Sequence, residues 1–446
     1  MSKSFVEFIN HASILISNGN KSILSDPWYV GTSFDDGWKL LFENEHQDIS
    51  KILDKTNYIW ISHEHPDHFS IKFLKDYNNS IKENNIEFIF QNTVDKRVVK
   101  FLDLNHFKFR ELKNNEEYII DNNFKIKIQK SDFYDSALIT EIDGSKIFNL
   151  NDCPLKSDEE LNRFKNKYGT CDFLFTQFSY AAWKGGKNNI NWRKNSAKEK
   201  INTLLKQSNI LNSKYTIPFA SFISFCDPYN FYLNDSVNTP KKIIEKQNQT
   251  DSKIVFLKPY QRINIKSPNF NEEGYKFWQN VFENRDYNTS KDVKKYEFED
   301  LNFEFQNYIK RINKNNSKLL IKFLSMLKFL GIFQPLIFSI RDLNLSVKID
   351  IANEIFEKTK DESHIEINSR SLYLIFNQDF GFDTLTVNGC FEEKKIDAFS
   401  KMSKTFAIGN LNNLGIKLNI YILLNFKIIF LFFKKLIFVK KKLKLN

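Results

Sequence analysis

The chain has 446 residues, 41% hydrophobic and 27% charged, with 13 Gly and 9 Pro; this composition excludes bulk disorder, and the length predicts more than one core. The formal charge of +11 does not mark a nucleic-acid-binding protein: residues 401–446 hold ten Lys and no acidic residue, and subtracting that ten leaves the first 400 residues at +1. Cysteines at 153, 171, 226 and 390 form no C-x-x-C pair, which excludes a small disulfide-stapled module and fits thiols in a reducing cytosol.

The opening M-S-K-S-F-V-E-F-I-N-H has no uninterrupted apolar run and no small-residue cleavage site, so a cytoplasmic location is expected. Short apolar runs closed by Asn, Gly, Asp or Pro predict strands at Phe5–Ile9, Ala12–Ile16, Ser22–Ser25 and Tyr58–Ile61. Further strands are predicted at Ile86–Phe90, Phe124–Ile128, Ala137–Ile142, Ile147–Leu150 and Phe173–Phe175. Helical patterns intervene near Ser70–Tyr77, Val94–Phe101, Asp158–Lys167 and Ser196–Gln207, so strand and helix alternate as in a layered α/β domain reaching about residue 265. Beyond the turn-rich Pro259–Pro268, helical periodicity at Glu272–Asn284 and Phe303–Phe333 precedes a β-like block. That block comprises Leu345–Ile349, His364–Ile367, Leu372–Phe376 and Thr384–Val387, and predicts a smaller α+β domain over 266–400.

The chemistry concentrates at residues 58–68, Tyr-Ile-Trp-Ile-Ser-His-Glu-His-Pro-Asp-His, where an apolar strand runs into H-x-H-x-D-H. His63 and His65 alternate on an extended segment and project to one side, while Asp67 and His68 fall on the turn into the next helix. Imidazole and carboxylate ligands suit Zn, Fe or Mn, as one ion or two, at a site with an open position. An accidental polar loop is the competing reading, and three of only seven His within six residues argue against it.

With this motif the sequence resembles the metallo-β-lactamase superfamily, which implies an αββα sandwich followed here by the smaller α+β domain and a basic apolar C-terminal helix. The stretches N-H-A-S-I-L-I (10–16) and I-L-S-D-P (23–27) are similar to the opening strands of ascorbate-lactone hydrolases and N-acyl phosphatidylethanolamine phosphodiesterases. That similarity implies that Asp26 stands behind the metal ligands; His11 either does the same or is simply a histidine at a strand end. By the same resemblance Asp152 matches a metal-bridging Asp, and Asp132 takes the place of the family's third His or lies in a solvated turn. The implied ligand sets are His63, His65 and Asp132 for one ion and Asp67 with His68 for the other. Asp152 bridges them, and Asp67 orients a water.

The family's last His is missing from Tyr215–Phe222, which departs from a complete two-metal hydrolytic site. That segment, with Cys226-Asp227-Pro228, Asn238-Thr239-Pro240 and D-P-W-Y-V-G-T-S-F-D-D-G-W (26–38), is similar to the metallo-β-lactamase-like portion of CMP-N-acetylneuraminate hydroxylase over about residues 5–265. The family carries a Rieske module, whose paired Cys and His do not precede Phe5 here, so a separate Rieske protein is the implied electron donor. The loop Gln177–Lys187 offers Trp183 and Lys184 to an anionic or sugar-like substrate, with a plain Gly-Gly surface turn as the other reading.

From Ile416 to Leu445 apolar residues alternate with Lys, and Lys427, Lys434 and Lys441 recur every seven residues, the composition of an interfacial helix drawn to anionic lipid. A docked core helix or genome-driven composition would look similar. Peripheral contact with the inner membrane face through 411–446 is therefore one expectation. The sequence predicts a metal-dependent hydrolase of a small polar or anionic molecule, a sugar nucleotide or phospho-compound. The alternatives are a hydroxylase component working with a Rieske partner and a non-catalytic membrane-docked scaffold.

Overall fold

The computed structural model describes residues 4–131, 135–285, 294–413 and 415–419. They form two compact units. The first holds the residues up to Lys184, Asn189–Cys226 and those from Leu233 to Arg285; the second holds Gly185–Asn188, Asp227–Tyr232 and those from Lys294 onward.

The first unit opens with the antiparallel run β1 (Phe5–Asn10), β2 (Ser13–Ser17) and β3 (Ser22–Ser25). Two short strands, β4 (Thr32–Ser33) and β5 (Trp38–Leu40), precede α1 (His46–Leu53) and β6 (Tyr58–Ile61). Then come α2 (Ile71–Asp76), α3 (Asn78–Glu83), β7 (Glu87–Gln91), α4 (Arg97–Leu104) and β8 (Lys108–Leu112). The meander β9 (Glu117–Asp121), β10 (Phe124–Lys130), β11 (Ser136–Ile142) and β12 (Ser145–Asn151) follows. It leads to α5 (Asp158–Tyr168), β13 (Phe173–Gln177), α6 (Ile190–Leu211), β14 (Tyr215–Phe219) and β15 (Ile223–Phe225). The unit closes with α7 (Pro240–Ile244), β16 (Lys253–Ile254), β17 (Arg262–Asn264) and α8 (Glu273–Glu283).

Two seven-stranded sheets result, ordered β17-β1-β2-β3-β6-β7-β8 and β16-β14-β13-β12-β11-β10-β9. Apolar residues of α1 to α4 (Ile52, Phe73, Ile81, Leu102) pack on Leu24, Ile59 and Phe88 of the first sheet. Leu161 and Phe164 of α5 and Leu211 of α6 pack on Phe148 and Leu174 of the second. The inner faces meet where Phe8 lies 6.0 Å from Phe219, so this unit is the αββα sandwich that the resemblance implied. Strands β3, β6, β7 and β8 pair in parallel because helical crossovers link β6 to β7 and β7 to β8, so the strand ends that follow Ser25 and Ile61 emerge side by side.

The first unit extends past the predicted limit at 265. Trp278 of α8 stacks on Phe222 at 4.0 Å and donates from Nε1 to the Leu257 carbonyl at 2.7 Å, burying α8 with the sandwich core. No disulfide among the described residues joins the four buried cysteines.

The second unit contains α9 (Phe298–Asn315), α10 (Lys318–Met326), β18 (Leu336–Ile340), β19 (Leu345–Asp350), β20 (Ile355–Thr359) and β21 (Ile365–Ile367). It continues with α11 (Ser369–Asn377), α12 (Gly381–Asn388), β22 (Phe391–Glu393) and α13 (Ala398–Asn413), and its sheet runs β20-β19-β18-β21-β22. Two predicted strands are helices instead: Leu372–Phe376 lies in α11 and Thr384–Val387 in α12. Short apolar runs carry no period that separates the two states; Asn368 caps α11 through Ser371 N, and Leu372, Ile375 and Phe376 turn one helical stripe inward. The helical pattern over Phe303–Phe333 also breaks in two, at Asn316, before Ser317 caps α10. Among the described residues no helix is long and apolar enough to cross a membrane. Residues 420–446, most of the predicted interfacial helix, lie outside the described residues.

Candidate metal centre

The turn after β6 is clamped by Asp26, which ends β3 in a left-handed conformation (φ 35°). Its Oδ1 accepts from the Ser62 amide and its Oδ2 from the Ser62 hydroxyl, both at 2.7 Å, while Asn151 Nδ2 also donates to Oδ2. Ser62 O in turn accepts from Ser136 Oγ at 2.7 Å and Gln91 Nε2 at 3.1 Å. Strand ends from both sheets thus hold one turn, and the turn aims its side chains into a common space.

His68 is held from behind. Its Nδ1 lies 3.0 Å from Asp26 Oδ2, so Nε2 faces forward, 3.2 Å from Asp67 Oδ2 and 3.6 Å from Asp152 Oδ2. His63 packs beside it, ring centroids 4.2 Å apart, with Nε2 2.9 Å from His65 Nδ1 and 3.7 Å from Asp135 Oδ1. His11, also left-handed (φ 26°), brings Nε2 to 3.4 Å from Asp67 Oδ2 and sets its ring edge-to-face on Trp28. Two donor groups therefore form, His11 with Asp67 and His68, and His63 with His68 and Asp152, their ligand atoms within 4.8 Å of one another.

The electrostatics suit a cation. Burial, then the neighbouring His68 and His65, keep His63 well below the ordinary imidazole value, in the neutral form that binds a metal. Burial, then the charge of Asp152, push Asp135 up to about 7, with His65 and His68 opposing. Burial opposes the charges of Asp67 and His68, yet each holds the other: Asp67 is kept well below the usual carboxylate range, and Asp67 with Asp26 keeps His68 well above the imidazole range.

The fit to a metal is tested by atoms left over. Asp67 Oδ1, His68 Nε2 and His11 Nδ1 are buried without a hydrogen-bond partner, which is costly unless something else occupies the site. The donors are imidazole nitrogens and carboxylate oxygens, and Asp26 anchors the far side of His68 in the carboxylate–histidine arrangement that orients metal ligands. The residues present fit a divalent metal ion.

His63, His65, Asp67, His68 and Asp152 are brought together, with Asp26 behind them. His11 stands among the donors rather than behind them. The segment Tyr215–Phe222 indeed brings no His; the Ala220 amide instead donates to the His11 carbonyl at 2.9 Å, joining the end of β14 to that residue. Asp132 lies outside the described residues; Asp135, three residues on in the sequence, is the carboxylate seen beside His63. Trp183 is buried edge-to-face against Trp192, 5.4 Å between centroids, so its indole packs in the fold instead of forming the exposed aromatic face expected of it; Lys184 is half-buried.

The sequence marks Gln177 only as the start of a loop and does not single out Lys200. Gln177, at the end of β13, donates from Nε2 to Asp152 Oδ1 at 3.2 Å, and Lys200 of α6 donates to Gln177 Oε1. Desolvation pulls the Lys200 ammonium down to about 8, with the charge of Asp152 opposing. Lys200 is one Lys among many in the sequence, and only its place on a helix packed over β13 singles it out.

Residues 5–167 match the Beta-lactamase superfamily domain. The chain is similar to cytidine monophosphate-N-acetylneuraminic acid hydroxylase of Danio rerio, 25% identical over 260 residues, 53% of this chain and 42% of the relative. It is similar to the protein of the same name from Xenopus laevis, 27% identical over 251 residues, 52% of this chain and 40% of the relative. The chain thus spans about two fifths of the length of these relatives. Among solved structures, Igni18, a metallo hydrolase from Ignicoccus hospitalis, is 13% identical with a TM-score of 0.42, over 58% of this chain and 97% of that one.

Proposed function

Starting from a segment that matches the Beta-lactamase superfamily domain, we propose that the protein is a metal-dependent hydrolase of a small polar or anionic molecule. The observation that carries this reading is the buried convergence of His68 Nε2 with the Asp67 and Asp152 carboxylates beside His63. His63, His65 and Asp135 would hold one ion; His11, Asp67 and His68 a second, with Asp152 between. Zn, Fe and Mn all accept such donors. A bound cation would supply Lewis acidity, lowering the pKa of water and polarising a scissile carbonyl or phosphoryl group.

The chain's own residues do the rest. Asp26 fixes the His68 ring through Nδ1, and Lys200 and Gln177 hold the Asp152 carboxylate in one orientation. The partnerless Oδ1 of Asp67 is placed to accept a hydrogen bond from an attacking water. Phe34, 5.6 Å from His65, and Trp28, beside His11, narrow the access of bulk water.

A second reading has its own support. Asp135 beside His63 and His65 makes a two-His-one-carboxylate set, which suits non-haem iron, and the relatives above bear the name of a sugar-nucleotide hydroxylase. Under that reading the protein is a hydroxylase component supplied with electrons by a Rieske centre. Elemental analysis of protein purified without chelator separates the two. Two equivalents of zinc, with turnover of chromogenic esters or phosphodiesters, support hydrolysis; iron without such turnover supports the hydroxylase. A chain that retains no metal overturns both.

A further inference from the structure

The seam between α9 and α13 in the second unit changes character along its length. At one end it is apolar: Phe305 and Phe406 both pack on Phe376, at 5.4 and 6.4 Å between ring centroids. Further on, a cavity of about 240 Å³ opens, lined from α9 by Tyr308, Arg311 and Asn315 and from α13 by Gly409, Asn410 and Asn413. Steps of three and four residues put each set on one inward helix stripe, where apolar residues are the rule. Phe382 and Phe406, 5.8 Å apart, give the cavity an apolar side.

Two polar atoms on this wall are left over. Tyr308 Oη and Asn410 Oδ1 are buried without a hydrogen-bond partner, and Tyr308 is only 4% exposed. Leaving such atoms unsatisfied is costly, and an occupant of the cavity would relieve it. Gly409 keeps the wall open here, since a Cβ at that position would already lie 3.6 Å from Tyr308 Oη.

Opposite charges line the same cavity without meeting. Half-buried Arg311 donates from Nη2 to the Phe376 carbonyl and lies 5.7 Å from the Tyr308 ring, with exposed Lys314 one turn on. Exposed Asp379 stands at the rim, its carbonyl accepting from Asn413 Nδ2. Among the described residues no ion pair joins Arg311 to Asp379.

The geometry points to a binding site in this cavity for a small zwitterion, a free α-amino acid with an apolar side chain. Arg311 and Tyr308 Oη donate to its carboxylate, while Asn410 Oδ1 and the Asp379 carboxylate accept from its ammonium. Phe382 and Phe406 receive the side chain. A plain anion would face the acceptors of Asn410 and Asp379, and a plain cation would face Arg311 and Lys314. The site shares no residue with the metal centre.

The test is calorimetric titration of the full chain with L-leucine. L-leucinamide lacks the carboxylate and N-acetyl-L-leucine the ammonium, so each should bind at least about tenfold more weakly for want of a charge-assisted hydrogen bond. Tyr308→Phe should weaken leucine binding by about tenfold and raise the melting temperature of the unliganded protein, because an unsatisfied hydroxyl is gone. Asp379→Asn, at an exposed position, should weaken it by about twofold to fivefold with an unchanged melting temperature. Failure of leucine to bind overturns the inference, as does equal binding of the three probes. Binding unaltered in both variants would show that the probe is chelated at the metal centre, and a higher melting temperature of Tyr308→Phe without any leucine binding would show a cavity that holds only water. Each of these results also overturns it.

Discussion

Two places, one in each unit, depart from the ordinary rule of burial in opposite directions. In the first, His11, Asp26, His63, Asp67 and His68 are at most 3% exposed, and three of their polar atoms have no hydrogen-bond partner. In the second, buried Asp350 is satisfied by the Asn353 amide and side chain, while the apolar side chains of α10 stand in solvent. Buried polar groups and exposed apolar ones are the informative exceptions in a folded chain. The first is a donor cluster whose chemistry fits a cation; the second is apolar surface left in solvent.

The largest effect that would break this comparison is loss of the metal. His65→Ala should bring metal content to background while circular dichroism stays native; retained stoichiometry would undo the ligand assignment and remove the contrast between the units. Next are two buried glycines, one in each unit. A Cβ at Gly274 would lie 2.0 Å from the Phe256 carbonyl oxygen, and one at Gly381 1.9 Å from that of Leu374. Each Gly→Ala change should cost about 1–3 kcal/mol or more through forced backbone shifts. In denaturant melts Gly274→Ala should lower the transition that releases metal and Gly381→Ala should leave that transition in place; the reverse would show that the units do not unfold separately.

Third, Gln177→Leu and Lys200→Met should weaken metal binding by about 10–100-fold in chelator competition without unfolding the protein, because they loosen Asp152 rather than remove it. An unchanged affinity would reduce both residues to packing.

The smallest effect is the pH dependence of the metal-free protein. Asp67 is depressed, so its contribution to stability is present above the ordinary carboxylate value and is lost as pH falls through its lower folded value. His68 is raised, so its contribution is present below the ordinary imidazole value and is lost as pH rises through its higher folded value. Metal-free protein should therefore be most stable between the two ordinary values, and His68→Gln should flatten both limbs. Limbs that persist in the variant would place the titration elsewhere.

Much of the first unit was legible because its strands are short apolar runs bounded by turn residues, and the predicted β3 and β6 coincide with the observed Ser22–Ser25 and Tyr58–Ile61. The second unit was less so: Leu372–Phe376 and Thr384–Val387 are apolar runs too short to show a period, and caps and packing made them helices. Within the candidate site, Asp135, Gln177 and Lys200 carry no spacing signal.

The sequence by itself determined the motif His63-x-His65-x-Asp67-His68, since donors within one strand-end turn share a direction fixed by backbone geometry. It also determined the alternation of strands and helices that builds the sandwich. Only the tertiary structure decided that His11 joins Asp67, that Asp135 meets His63, and that Lys200 reaches Asp152 through Gln177. Those groups lie far apart in the chain, and their meeting depends on how two sheets pack and which strand ends fall side by side, a property of the assembled core that no local spacing encodes.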